Sequence, residues 1–281
     1  MRTAFVVLTY NRPDAALAVL RSLAPQCGPQ HVVVIADDGS RADKVQALRD
    51  GLPPFACPVR HVWHPDVGFT AARARNLGAA AAASDYLVFM DGDCVPNRRF
   101  VSRHAQLAEA GHFVNGSRVL LSPALTERVL AGRVDLSRCD TADWLRLRLA
   151  GDVNKLTHLL QWPGAPFRVQ PRFRWKGIRS CNFGVAWRDY EAVNGFDESF
   201  SGWGHEDADL VLRLHHHGLQ RKNGFFGTEV YHLWHREHSR AGEGANRARV
   251  TARMGTGIVR AARGLAEALH RPDTIVTELN R

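Results

Sequence analysis

The first half of the chain alternates between strand-like runs and segments with helical spacing. Four runs rich in apolar and β-branched residues predict strands at 3–9, 31–37, 58–63 and 86–90. The segments between them predict helices at 14–24 and, in an alanine-rich stretch, at 69–83. Strands that are apolar on both faces and joined through helices are typical of a mostly parallel sheet with helices on each side. We therefore expect an α/β fold.

The second half predicts fewer regular elements. A helix is expected at about 140–160, and prolines at 163, 166 and 171 indicate that 161–178 is mainly loop. The other predicted elements are a strand at 180–187, a helix that begins at 206, a strand at 225–235 and a surface helix in the tail after 239.

Polar residues follow three of the predicted strands. They are Thr9-Tyr10-Asn11, Asp37-Asp38 and Asp91-Gly92-Asp93. In open α/β sheets, ligands bind beyond the carboxyl ends of the strands. The pattern therefore predicts one site assembled from three separate loops.

Asp91 and Asp93 are the first candidates for chemistry. Two carboxylates separated by a glycine at a strand end offer hard oxygen ligands to Mg²⁺ or Mn²⁺. A plain turn uses the same residues. The motif also resembles that of haloacid-dehalogenase-like phosphatases, in which Asp91 would be the nucleophile. That alternative expects the motif on the first strand of the domain, and here three predicted strands precede it.

Glu206 and Asp207 are the second pair. Acids in the first turn of a helix are favoured by the helix dipole, which is the ordinary explanation. The preceding Gly202-Trp203-Gly204 turn is costly to order, and its indole offers a flat surface for the C–H face of a sugar. An ionised carboxylate beside it would accept a proton from a substrate hydroxyl.

Two histidines near the end of the last predicted strand are candidate metal ligands. On a regular strand His232 and His235 would point to opposite faces, so one could be a metal ligand and the other structural. A histidine in such a run is also commonly a satisfied residue of the core or its rim. The run His215-His216-His217 is interpreted as surface, because three consecutive residues do not share one helix face.

Composition restricts the protein class only partly. The chain has 281 residues, 45% of them hydrophobic, and a formal net charge of +9, which indicates a polyanionic partner without choosing among nucleic acid, membrane surface and phosphorylated molecule. Basic residues accumulate between Asp152 and Asp189, where there is no acid, and Phe167, Phe173 and Trp175 lie among them. This segment fits a nucleic-acid contact, a lid over a diphosphate, or a solvated loop.

We expect neither a secretory signal nor a membrane-spanning helix from this sequence. The N-terminal apolar run is too short for a signal peptide, and no apolar stretch approaches the roughly 20 residues of a membrane helix. The five cysteines form no CxxC pair, which argues against a zinc ribbon or a disulfide framework. We expect a cytoplasmic protein, with peripheral contact at the inner membrane face left open.

Several segments together resemble family 2 glycosyltransferases. They are VVLTYNRP at 6–13, ADDGS at 36–40, GFTAARARNLG at 68–78, YLVFMDGD at 86–93 and CNFGVAWRDYEAVNGFDESFSGWGHEDADLVLRL at 181–214. The likeness extends over roughly residues 3–240 in the right order. The GWGxED element is similar to that of β-1,4-galactosyltransferases and chondroitin polymerase-like domains.

The resemblance implies a GT-A fold, in which one α/β domain surrounds a mixed sheet. That domain would span 1–240, with a nucleotide-binding half at about 1–95 and an acceptor half at about 96–240. A helical tail would follow at 241–281, outside the resemblance.

The resemblance also assigns residues to roles. Nucleotide-binding residues would be Thr9, Tyr10, Asn11, Arg12, Asp37, Asp38, Arg75, Asn76 and Asp91. Asp93 and His232 would ligate the metal, with His235 as second choice. Asp207 would be the catalytic base, Glu206 would bind the acceptor beside it, and Trp203 would lie against the sugars.

The implied activity is inverting transfer from a nucleotide sugar, most often UDP-linked, to a hydroxyl of a saccharide or other small acceptor. The implied cofactor is Mn²⁺ or Mg²⁺, and no nucleic-acid partner is expected. Two alternatives stay open from the residues alone: a phosphatase built on Asp91, and a basic nucleic-acid-binding protein.

Overall fold

The computed structural model describes residues 1–200, 202–236 and 243–280. The strands in this part of the chain are β1 Thr3–Thr9, β2 His31–Asp37, β3 Val59–Trp63, β4 Tyr86–Asp91, β5 Cys94–Pro96, β6 His112–Asn115, β7 Arg118–Leu120, β8 Val169–Gln170, β9 Asn182–Ala186, β10 Gln220–Asn223, β11 Val230–His232 and β12 Ile275–Glu278. The α-helices there are α1 Pro13–Leu23, α2 Ala42–Asp50, α3 Ala71–Ala80, α4 Phe100–Leu107, α5 Pro123–Leu130, α6 Thr141–Leu149, α7 Trp187–Ala192, α8 Glu206–His216, α9 Glu243–Arg253 and α10 Leu265–Ala268.

Two sheets organise the described residues. The larger has the strand order β12-β3-β2-β1-β4-β9-β6-β10-β8, and the smaller has the order β5-β11-β7. The pairs β3/β2, β2/β1 and β1/β4 are parallel, whereas β9 is antiparallel to both β4 and β6. The sheet is therefore mixed, and its N-terminal part is parallel as predicted.

The central strands are buried because helices cover both faces. Along β1, Phe5 and Val7 belong to the apolar layer that includes α1, while Ala4 and Val6 belong to the layer that includes α3. None of these four side chains is exposed. Alternation along a strand thus supplies both layers, which explains why β1 is apolar at nearly every position.

This packing brings the polar strand ends together. Since β3, β2, β1 and β4 are parallel neighbours, their carboxyl ends lie at one edge of the sheet. The residues after β1, β2 and β4 are those predicted to form the site.

Two predicted elements in the second half are shorter in the structure. The helix expected over about 140–160 is α6, which ends at Leu149, and Gly151 then adopts a positive φ of 77°. The strand expected over 225–235 is only β11, because Phe226 also has a positive φ (60°) and its N–H bonds the buried carboxylate of Glu229. The expected loop over 161–178 contains only the two-residue strand β8 and a short 3₁₀ turn.

The tail differs from the single surface helix expected. Its described part holds α9, α10 and the strand β12, which pairs antiparallel with β3 at the edge of the larger sheet. The first two residues of the expected tail, 241 and 242, lie outside the described residues. None of the helices described is long and apolar enough to cross a lipid bilayer.

Candidate active site

Arg75 joins the two acidic motifs. Its guanidinium donates from Nη2 to Asp91 Oδ1 at 2.8 Å and from Nη1 to Glu206 Oε1 at 3.2 Å. Arg75 is buried on α3, and its side chain also lies over the ring of Phe196, 5.2 Å from the centroid. The strand end at 91–93 and the start of α8 are therefore separated by the width of one guanidinium.

Gly92 allows the two aspartates to lie this close to the sheet. Its N–H donates to the carbonyl of Leu8 at 2.6 Å. A Cβ at position 92 would lie only 2.6 Å from that same oxygen, so no other residue fits without a backbone shift. Asp91 and Asp93 remain partly exposed, at 31% and 24% of their side-chain surfaces.

The backbone conformation of the Gly-Trp-Gly turn explains why it contains two glycines. Gly202 (φ 73°), Gly204 (φ 99°) and His205 (φ 73°) are all in the left-handed region, which glycine tolerates and histidine does not favour. This turn directs the chain into α8 so that Glu206 is its first residue. Trp203 is partly buried between the two glycines. The α9 helix supports the turn, because Asn246 Nδ2 donates to the carbonyl of Gly204 at 3.0 Å.

Burial raises the pKa values of both acids at the start of α8. For Glu206 the second cause is the charge of Asp207, and the charge of Arg75 partly opposes the shift. For Asp207 the opposing causes are Arg75 and hydrogen bonds from the backbone of Ala208 and Ser180. Both carboxyls therefore hold protons more tightly than exposed acids, as suits a group that must accept one.

Asp93 lies beside both candidate histidines. His235 Nε2 is 3.2 Å from Asp93 Oδ2, and His232 Nε2 is 3.8 Å from Asp93 Oδ1. The two histidine rings are 5.2 Å apart, because β11 ends at His232 and the regular alternation of a strand does not continue to His235. The expectation of opposite faces assumed a regular strand, and β11 ends before it reaches His235.

The electrostatics at Asp93 distinguish the histidines. Burial lowers the pKa of His232, which leaves its ring neutral and able to donate a lone pair. The hydrogen bond to Asp93 raises the pKa of His235. Although burial alone would raise it, the pKa of Asp93 is lowered by His235 and His232.

The residues fit a divalent cation. Two ligand atoms that share one small divalent ion lie about 3 Å apart, which is close to the Asp93–histidine distances. Charge also favours a cation, because Asp91, Glu206 and Asp207 all act on the single guanidinium of Arg75 and leave an excess of two negative charges. Cys94 also lies close, since its Sγ and the ligand atoms of Asp93 and His232 are all within 4.8 Å of one another. Burial raises the pKa of Cys94, so it stays a thiol and is a poor ligand.

The loops after β1 and β2 hold each other in place. Asn11 (φ 52°) donates from its backbone N–H to Ser40 Oγ at 2.8 Å, and its Oδ1 accepts from Arg41 N at 3.0 Å. Thr9 is buried, whereas Tyr10 is 43% exposed. Arg12 forms a surface ion pair with Asp14. Among Thr9, Tyr10, Asn11 and Arg12, Tyr10 is the most exposed residue.

The carboxylates of Asp37 and Asp38 both accept hydrogen bonds from other residues of the chain. Asp37 accepts from Ser40 N at 2.8 Å and lies 2.9 Å from His61 Nε2. Asp38 accepts from the backbone and hydroxyl of Thr70, at 3.0 and 2.5 Å. Both are buried beneath the loops, and a contact with a nucleotide stays a prediction.

Asn76 does not fit the expected nucleotide-binding role. It has no exposed surface, and its side-chain amide forms hydrogen bonds with the segment before the Gly-Trp-Gly turn. Its Oδ1 accepts from Tyr190 Oη at 2.5 Å and Phe196 N at 3.0 Å, and its Nδ2 donates to Phe196 O at 2.9 Å. Asn76 therefore fixes the segment that leads to α8, one residue away from the site-facing Arg75.

Sequence reasoning missed Asp66 and the backbone of Ser180. Asp66 accepts from Tyr10 Oη at 2.8 Å, and it follows β3 as the other acids follow β2 and β4. The strand-end rule would have found it. Ser180 acts through its backbone, which no sequence pattern marks.

Family models and curated relatives agree on the class of protein. A model described as glycosyl transferase family 2 matches residues 4–173, and one described as the N-terminal domain of galactosyltransferase matches 167–238. Validoxylamine A glucosyltransferase of Streptomyces hygroscopicus subsp. limoneus is 30% identical over 226 residues, 76% of this chain and 48% of that protein. Chondroitin synthase of Escherichia coli is 25% identical over 250 residues, 81% of this chain and 34% of that protein. The chain thus spans half or less of the length of these relatives.

A solved structure supports the fold. The structure of GalNAc-T7 with UDP, GalNAc and Mn²⁺ matches with a TM-score of 0.55 at 16% identity, covering 90% of this chain and 48% of that one. The expected GT-A fold, an α/β domain around a mixed sheet, is confirmed. With its strand-end acids, its Gly-Trp-Gly-His-Glu-Asp turn and a family model that covers more than half of its length, the chain belongs to glycosyltransferase family 2.

Proposed function

We propose that the chain is an inverting, metal-dependent glycosyltransferase that moves a sugar from a nucleotide-sugar donor to a hydroxyl of a saccharide or other small acceptor. The observation that carries this proposal is the bridge from Asp91 through Arg75 to Glu206. It joins a candidate donor and metal site to a pair of acids with raised pKa values.

Asp207 is the proposed base. At the N-terminus of α8, the helix dipole favours its ionised form, while burial raises its pKa and makes it a better proton acceptor. Glu206 is held by Arg75 and would position the acceptor hydroxyls. Trp203 would provide an apolar surface for the sugar rings.

The loops after β1 to β4 are the proposed donor site. Tyr10 and the backbone of Asn11 and Arg12 would line the nucleoside pocket, and Asp91 would lie near the ribose. Asp93 and His232 would hold the metal, which, when bound, would neutralise charge on the leaving diphosphate. UDP is the favoured nucleotide, since GalNAc-T7 holds UDP on the same fold.

Inversion follows from the single displacement proposed. Asp207 would remove the proton as the acceptor hydroxyl attacks the anomeric carbon in line with the departing diphosphate. One such attack inverts the anomeric centre.

The test is release of nucleotide from a panel of UDP- and GDP-sugars, with Mn²⁺, with Mg²⁺ and with EDTA. We expect metal-dependent release from one donor, stimulated by acceptor. Asp207→Asn should lower turnover by about a thousandfold or more while nucleotide affinity stays within about twofold. Asp43→Asn, an exposed acid on α2, is the matched control and should behave as wild type.

The alternatives give different results in the same assays. A phosphatase would hydrolyse a generic phosphate ester and lose that activity with Asp91→Asn. A nucleic-acid-binding protein would bind DNA or RNA with a steep salt dependence and would be indifferent to Asp207→Asn. Either result without nucleotide-sugar turnover would contradict the proposal.

A further inference from the structure

The acid-free segment between Asp152 and Asp189 is fixed to the sheet by hydrogen bonds. The buried Arg168 donates to Pro163 O at 2.8 Å and to Asn223 O at 2.6 Å. Arg221 on β10 donates to Lys176 O and Gly177 O at 3.1 and 2.9 Å. The segment is therefore packed and hydrogen-bonded as part of the domain, and it is not merely a solvated loop.

The end of this segment lies beside the catalytic acids. Asn115 Nδ2 on β6 donates to the carbonyl of Arg179 at 2.9 Å, and the backbone of Ser180, the next residue, bonds Asp207. Trp175 packs edge-on against His205, the residue before Glu206, with ring centroids 5.2 Å apart. Arg179 is thus held next to the proposed base.

Two more cations approach from neighbouring elements. Lys155 Nζ donates to Ser117 Oγ at 2.7 Å, one residue before β7. Arg118 is paired with Val230 in register, as Leu120 is with His232, so Arg118 and His232 lie on the same face of the smaller sheet.

These cations repel one another. Burial lowers the pKa of Lys155, and the charges of Arg179 and Arg118 lower it further, against an opposing effect of Glu229. Burial and Arg179 together lower the pKa of Arg221 to about 10. Such like-charge proximity costs stability unless an anion balances it.

No carboxylate of the described residues does so by direct contact. Among the ion pairs in residues 1–200, 202–236 and 243–280, none includes Arg118, Lys155, Arg179 or Arg221. Glu229 faces Lys155, but its oxygens accept from the backbone of Phe226 and Gly227. The buried Nε of Arg179 has no hydrogen-bond partner.

We propose that Arg118, Lys155 and Arg179 form a subsite for an anionic group, a carboxylate or a phosphate, carried by the acceptor. The inference rests on the proposed function and adds the substrate class. Arg179 and Lys155 contact Asn115 and Ser117, at the end of β6 and just beyond it, and Arg118 follows Ser117 in the chain. The proposed donor loops after β1 and β2 lie on the other side of β4 in the larger sheet. The position next to Asp207 assigns the anion to the molecule whose hydroxyl is deprotonated.

The experiment compares matched acceptors by titration calorimetry with the full chain in UDP and Mn²⁺. The probes are methyl glucuronoside against its methyl ester, and glucose 6-phosphate against glucose. We expect the wild type to bind at least one anionic probe about tenfold or more tightly than its neutral partner, a preference that falls with added NaCl. Which pair shows it identifies carboxylate or phosphate.

Variants locate the subsite. Lys155→Gln and Arg179→Gln should each remove most of the preference, and Lys155→Arg should retain it. Arg172→Gln, which removes an exposed cation from the same segment, is the matched control and should leave it unchanged. Equal affinity of the wild type for charged and neutral probes would overturn the inference, without any need for the variants to fold.

A loss of UDP affinity in Lys155→Gln and Arg179→Gln, with the acceptor preference kept, would also overturn it, because the cations would then face the donor diphosphate. Metal-dependent release of UDP by the wild type tests the proposed function separately. If that release occurs while the probes show no charge preference, the subsite fails and the function stands.

Discussion

Arg75 on α3 donates a hydrogen bond to Glu206 at the start of α8, 131 residues further along the chain. The same guanidinium holds Asp91. The strand end at Asp91 and the start of α8 are thus tied by one buried cation.

Replacing this cation should damage both stability and activity. In Arg75→Gln, Asp91 and Glu206 lose their partner in a buried place, and breaking a buried ion pair costs about 3–5 kcal/mol. We expect a fall of that size in the free energy of unfolding by urea, and a fall of at least about a hundredfold in kcat/KM. Arg146→Gln is the control, because Arg146 pairs with Asp143 on the surface of α6 and surface pairs contribute at most about 1 kcal/mol. Equal effects of the two substitutions would contradict the bridging role.

Asn76 should prove structural. Asn76→Leu removes the hydrogen bonds to Tyr190 and Phe196, and leaving buried partners unsatisfied costs about 1–3 kcal/mol. The free energy of unfolding should fall by this amount, while the UDP Kd measured on the folded protein stays within about twofold. A weakened UDP affinity at unchanged stability would restore the nucleotide-binding role.

His232 and His235 should differ in metal binding. Burial lowers the pKa of His232, whose Nε2 lies 3.8 Å from Asp93 Oδ1. His235 Nε2 lies 3.2 Å from Asp93 Oδ2, and this contact raises the pKa of His235. We expect His232→Ala to raise the Mn²⁺ concentration for half-maximal activity by about tenfold to a hundredfold, and His235→Ala to raise it less. Manganese titration of both variants by activity and by electron paramagnetic resonance checks this. The reverse order would assign His235 as the ligand.

The dependence of kcat on pH should report Asp207. Its pKa is raised above the ordinary 3.8 by burial and by the charge of Asp91, with Arg75 opposing, and Glu206 shares the site. Because a base must be ionised to act, kcat should fall as pH is lowered through this raised pKa. The acid limb of the profile, measured at saturating donor and metal, should therefore lie above pH 3.8. A flat profile down to that pH would show that Asp207 does not titrate as the base.

The turn before α8 should be sensitive to a single methyl group. Gly204 (φ 99°) and Gly218 (φ 95°) flank the same helix, and neither would bring a Cβ within 3.8 Å of another residue. Alanine at either position should cost about 1 kcal/mol or more of stability from backbone strain. Only Gly204→Ala should also lower kcat, since Glu206 and Asp207 follow it directly. Loss of kcat in both variants would point to general destabilisation.

The sequence predicted the N-terminal strands closely because their burial leaves a continuous apolar signature. β1 and β2 begin and end where expected, at 3–9 and 31–37. The length of the strand predicted at 225–235 was overestimated, because the aromatic residues Phe225 and Phe226 are not part of a strand. Phe225 stacks on Phe167, with centroids 5.8 Å apart, so these rings pack under a loop and do not extend a strand.

The roles within the site were harder to predict than its members. Arg75 was expected near the nucleotide, but its partner Glu206 is 131 residues away in sequence, so only the folded structure reveals the bridge. The neighbouring positions 75 and 76 of one helix face different surroundings, which a shared motif does not separate. The nearness of His232 and His235 depends on where β11 stops.

The pairing of β12 with β3 has a consequence for the integrity of the molecule. Val59 N donates to Asn280 Oδ1 at 2.7 Å, and Leu279 N donates to Val59 O at 2.9 Å, so the C-terminal residues satisfy the outer backbone groups of β3. An exposed strand border of this kind recruits strands from other molecules. The residues of β12 therefore cover the border of β3, and we expect a protein shortened at residue 240 to be prone to aggregate.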